Sequence, residues 1–152
     1  MNNAFSAFKI IHSALLIGQL LFIGIILYLV YSNIITTPFT GNDKALQVGA
    51  VLISAVAFFA GNHILKKISA ALRDDTVISP KERFGKYRAA CIMQWALLEG
   101  AALFCGICFF LSGNYAFLVL AAALILFFAL QTPGKSKTAL QSGLSIDEID
   151  LL

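Results

Sequence analysis

Charge is scarce in this sequence. Of its 152 residues only 12% are Asp, Glu, Lys or Arg, where a soluble domain carries about 25%. With 59% hydrophobic residues and a mean hydropathy of +0.85, that shortage excludes a disordered chain, a nucleic-acid-binding domain and an ordinary soluble enzyme. Proline is sparse too. Pro38, Pro80 and Pro133 all fall outside the long apolar runs, so nothing inside those runs stops a helix. Three cysteines cannot make a disulfide framework, and four zinc ligands are missing. No Gly-rich phosphate loop and no nucleophile–base pair is visible, so hydrolase, nucleotide-binding and phosphotransfer chemistry have no support. The expectation is a protein that is not an enzyme and carries neither cofactor nor metal.

What the chain has in excess is apolar sequence, gathered into four runs at 10–31, 47–64, 89–111 and 115–131. A helix needs about 20 mostly apolar residues to cross the hydrocarbon core. The alternating segments of about ten residues that a β-barrel requires are absent. The expected fold is therefore all-α: an integral membrane four-helix bundle over residues 1–138, followed by a short tail over 139–152. The first run is longer than a signal-peptide core and no small-residue cleavage site follows it, so it is expected to stay in the mature chain.

The cationic residues set an expected orientation. Lys66, Lys67, Arg73, Lys81, Arg83, Lys86 and Arg88 lie between the second and third runs. Lys9 precedes the first run, and Lys135 and Lys137 follow the fourth. Four spans place all of these on one side and leave only Lys44 on the other. Both termini are then cytoplasmic, in the inner membrane if the source is bacterial. Anionic lipid headgroups are the natural partners of the basic 66–88 connection, which otherwise reads as an orientation signal on the membrane surface. No nucleic-acid partner is expected. In the tail, Ser145 and Glu148 are spaced as a capping box opening a short helix, which could rest on that connection.

The first and third runs align without gaps. Ala14-Leu15-Leu16-Ile17-Gly18 matches Ala96-Leu97-Leu98-Glu99-Gly100, Leu21-Phe22 matches Leu103-Phe104, and Gly24-Ile25 matches Gly106-Ile107. This reads as an internal duplication of a two-helix hairpin, the copies inserting in parallel. Ala14/Gly18 and Ala96/Gly100 are both small-xxx-small pairs, which let helix backbones approach closely in lipid. They are expected to pack the first helix against the third at the centre; self-association through the same stripe is the rival reading.

Glu99 stands apart from the other acidic residues, which lie in connections or the tail. It is near the middle of its run, where an ionised carboxylate costs at least a few kcal/mol. Its expected neighbours are Gln19, slightly further along a parallel helix, Ser54 from the second run, and Trp95 packed over it one turn away. The functional reading is a reversible proton or cation site formed by Glu99, Gln19, Trp95 and Ser54. The structural reading is a protonated carboxyl that holds the helices together through Gln19 or a backbone carbonyl. His12, near a helix end, is expected to be solvated rather than to relay protons.

Cys105 and Cys108 form a CxxC toward the outer end of the third run. The favoured reading treats them as small apolar residues. The less favoured one rests on a resemblance to the quinone-linked disulfide oxidoreductases of the vitamin K epoxide reductase and disulfide-bond protein B groups, which implies a thiol oxidoreductase using Cys105 and Cys108. In outline, and as an analogy of mechanism, the chain also resembles the proteolipid (subunit c) family of rotary ATPases, duplicated hairpins of similar length with one membrane-buried Glu. That resemblance implies an ion-carrying role for Glu99. Two function classes stay open: a proton- or cation-linked channel or transporter subunit, as a homo-oligomer or part of a membrane complex, and a non-transporting scaffold in which Glu99 is structural. The topology is directly testable. Cysteine tags at Asn42 and Thr76 should label from outside and inside respectively, and labelling of both from one side overturns the four-span arrangement.

Overall fold

The structure, a computed structural model, describes residues 3–37, 43–75 and 77–151; the tag positions Asn42 and Thr76 lie outside them. The described residues are helical with no strand. The elements are α1 (Asn3–Tyr31), α2 (Lys44–Asp74), α3 (Pro80–Ser112), α4 (Ala116–Leu130), α5 (Lys135–Ser142) and α6 (Ile146–Asp150). Among them α1, α2 and α3 are each long and apolar enough to cross a membrane, and α4 with α5, bent by 84° at their junction, makes a fourth candidate.

Helix limits follow local chemistry. The Ser79 side chain accepts a hydrogen bond from the Glu82 amide, and Pro80 occupies the first turn of α3, where its missing N–H costs nothing. At the other end of α3, Gly113 adopts φ 69° and returns its amide to the Phe109 carbonyl, a left-handed cap that favours glycine. The capping box opening α6 is formed in full by Ser145 and Glu148. The 66–88 connection is mostly helix. α2 runs on to Asp74 and α3 begins at Pro80. Nothing between Lys66 and Arg73 breaks a helix, and the buried stripe Leu65, Ser69 and Leu72 continues the inward face of α2.

α3 is the hub. It packs most extensively against α2, then α4, then α1. α2 is antiparallel to it, as contacts of Asp43 with Asn114, Ser54 with Cys105 and Asn62 with Gln94 show. The seam is built from small residues of α2: Ala50, Ser54, Ala57 and Gly61, all buried at spacings of three and four. A Cβ on Gly61 would sit 3.1 Å from Gln94 Cγ, so the helices touch there. At the end away from the basic segment Asn114 Nδ2 donates to Asp43 at 2.7 Å, and this bond holds the Asp43 carboxyl below the usual range.

The expected central pairing of α1 with α3 through Ala14, Gly18, Ala96 and Gly100 is not what the structure shows. All four residues are exposed, and a Cβ on Gly18 or Gly100 would meet nothing within 4 Å. α1 meets α3 through other side chains. Phe8 and His12 lie against Trp95, while Phe22 and Ile23 lie over Gly106. The reason lies in the α1 face that turns inward, Phe5, Phe8, His12, Gln19 and Ile26. Burying two polar side chains and two phenylalanines on that face leaves the Ala14/Gly18 stripe pointing out.

At the basic end the tail folds back over the helix ends. Leu144 and Ile149 are buried, Arg83 donates to the Gly143 carbonyl at 3.1 Å and to the Asp75 carbonyl, and Tyr87 donates to Gln141 at 2.7 Å. The tail therefore rests on the 66–88 region, as its sequence suggested. These contacts set a paired test of the seam. Gly61→Leu should destabilise the fold by about 1–3 kcal/mol through overpacking, while Gly18→Leu, into open space, should leave it within about 0.5 kcal/mol. Thermal unfolding of both variants in one detergent checks this, and equal effects would refute the seam.

Candidate functional site

Glu99 sits midway along α3, beside the exposed Ala96 and Gly100 and at the edge of the face that carries the buried Trp95, Leu98 and Ala102. It is half-buried and, among the described residues, has no hydrogen bond and no ion pair. Its carboxyl is thus at the rim between the helix cluster and the outer surface.

The expected partners are distributed differently. Gln19 is fully buried, yet neither its Oε1 nor its Nε2 has a partner, so no hydrogen bond joins it to Glu99. Ser54 Oγ lies 3.6 Å from Cys105 Sγ, facing the α2–α3 seam. Trp95 does not cover Glu99. Its ring stacks on Phe8 at 4.9 Å and meets His12 edge-on at 4.8 Å. Helical side chains lean toward their own N-terminus, which carries Trp95 toward the basic end and away from Glu99. Glu99, Gln19, Trp95 and Ser54 therefore do not form one polar cluster.

The densest polar–aromatic arrangement lies nearer the basic end, and sequence reasoning missed it. His12, expected to be solvated, is 1% exposed. Its Nε2 donates to the Phe128 carbonyl at 3.1 Å in the matching tautomer, and its ring stacks on Phe128 at 4.7 Å. One helical face away, Gln94 Nε2 donates to Asn62 Oδ1 at 2.8 Å, and Asn62 donates to the Phe58 carbonyl. The Gln94 Oε1 is left without a partner. A signal existed: Phe5, His12, Gln19 and Ile26 recur every seven residues, a period that keeps one stripe facing a neighbouring helix. Polar residues on such a stripe turn inward in a membrane helix.

Cys91, Cys105 and Cys108 are all free and buried. Among the described residues no three His, Cys, Asp or Glu side chains gather as a metal site. The arrangement offers one unpartnered carboxyl at a helix rim and several buried hydrogen-bonding groups with spare capacity. No protein family, curated protein or solved structure matches the chain.

Burial of the thiols is checked by alkylation. In the folded protein a membrane-impermeant maleimide should leave all three cysteines unlabelled, and denaturation should expose all three. Rapid labelling of Cys105 or Cys108 in the folded state would instead support thiol redox chemistry at the CxxC.

Proposed function

We propose that the protein is a small, non-enzymatic membrane subunit of a proton- or cation-linked channel or transporter, with Glu99 as its titrating group. One observation carries this reading. Glu99 is mid-helix, half-buried, and unpartnered among the described residues of its own chain. At that depth in hydrocarbon an ionised carboxylate is costly unless something stabilises it. Either the carboxyl is protonated and exchanges its proton during function, or a cation or donor arrives from outside the chain. The outward Ala96 and Gly100 beside it would let a second helix approach closely. A second copy or another subunit on that stripe would complete the site. The same proposal includes both termini and the basic end on the cytoplasmic side, and a duplicated hairpin carrying its acid only in the second copy.

The scaffold reading uses the same geometry but requires no titration, and substitution separates the two. Glu99→Gln keeps shape and hydrogen-bonding capacity while removing the proton equilibrium. In reconstituted vesicles this variant should fold and assemble like the parent while losing pH-dependent ion flux. Flux equal to the parent's ends the transport proposal. Glu99→Leu distinguishes further: a loss of assembly there with unchanged behaviour of Glu99→Gln assigns Glu99 a structural role.

A further inference from the structure

The basic end holds a cavity of about 510 Å³ between α2, the end of α4 and α5. Its polar lining is rich in hydrogen-bond donors. Lys66 and Arg73 reach it from one stripe of α2, and neither has an ion pair among the described residues. Between them Ser69 is 6% exposed, and its hydroxyl is buried with no partner. Gln131 and Gln141 also line it. Each has its side-chain oxygen engaged, by Lys137 at 3.2 Å and by Tyr87 at 2.7 Å, which leaves its amide NH2 as the available group. Among the described residues no carboxylate lines the cavity. Two cations, a hydroxyl and the amides of Gln131 and Gln141, beside an Asn62 amide already bonded to Gln94 and the Phe58 carbonyl, select an anion with several acceptor oxygens.

Depth points to the kind of anion. Lys66 and Ser69 lie about 3 and 8 Å beyond the apolar run of α2, within the headgroup layer that flanks the hydrocarbon core by roughly 5–8 Å. Arg73 is further out, but helical side chains lean toward the N-terminus, and the N-terminus of α2 is its membrane end. Leu65 and Leu140 add apolar wall, suited to the glycerol end of a lipid. We infer that this cavity binds the phosphate of an anionic phospholipid headgroup and so ties α5 to α2 at the membrane surface. This inference stands apart from the reading of Glu99.

The test uses the full chain in a neutral detergent, titrated with phosphatidylglycerol, phosphatidylcholine or inorganic phosphate, and read by native mass spectrometry and thermal midpoint. Phosphatidylglycerol should bind at one per chain and raise the midpoint. K66Q/R73Q should weaken that binding about tenfold or more, since charge-assisted hydrogen bonds are lost. K67Q/K81Q removes the same charge away from the cavity and should bind like the parent. Ser69→Ala, which should fold normally without lipid, should show a smaller lipid-induced shift. Equal loss in K67Q/K81Q would show diffuse attraction to a basic surface and overturn the site. An unchanged shift in Ser69→Ala, or binding of phosphatidylcholine as tight as that of phosphatidylglycerol, would do the same. Inorganic phosphate alone matching phosphatidylglycerol would overturn the lipid assignment in favour of a free anion.

Discussion

Close approach of α2 to α3 is the contact on which the remaining helices depend. In hydrocarbon, apolar side chains gain nothing by leaving the solvent for one another, so helices associate through fitted packing and hydrogen bonds. Ala50, Ser54, Ala57 and Gly61 give α2 a face without bulk, and α3 lies on it closely enough for Gly61 to touch Gln94. With that face of α3 covered, its other sides receive α4 and α1. α1, the least covered of the three long helices, reaches α3 through larger side chains.

Polar groups inside the helix cluster then determine how α1 and α4 dock. His12 is held between the rings of Phe128 and Trp95 and bonded to a carbonyl of α4. A slide of α1 by one residue would break this bond and bury an imidazole without a partner, at the cost of a lost hydrogen bond plus its desolvation. Gln94 and Asn62 do the same for α2 and α3. Gln19 differs, because both polar atoms of its amide are buried and unpaired. That spare capacity, a turn or so from the level of Glu99, belongs to the same region of α1 and α3 in which titration is proposed.

The two ends of the molecule contrast in their chemistry. The end opposite the basic one is closed by short links such as Asp43 to Asn114 and the Gly113 turn. At the basic end, long helical extensions and the folded-back tail enclose a donor-lined cavity, with Arg83 and Tyr87 tying the tail to α2 and α3. In the proposed membrane setting the cationic end suits contact with anionic lipid, whereas the mid-helix carboxyl of Glu99 is the group proposed to titrate. Nothing requires the two to communicate, and each can be altered without touching the other.

The helical class, the apolar runs, Pro80 and Pro133 at helix boundaries and the Ser145–Glu148 cap were all legible in the sequence, because hydropathy and capping act through residues near in the chain. Glu99 was legible for the same reason: a carboxyl inside an apolar run is conspicuous without coordinates. Which face of each helix turns inward was decided only by tertiary packing. Ala14/Gly18 and Ala50/Ser54 are equivalent as patterns, yet the first faces outward and the second forms the seam, since α1 buries His12 and Gln19 on a different face while the small residues of α2 share their face with Gly61 and Leu65. The cavity of Lys66, Ser69 and Arg73 likewise needed Gln131 and Gln141, which are more than fifty residues distant in the chain. Local sequence specifies what a helix is and where it ends; only the competition among faces for one neighbour settles what it touches.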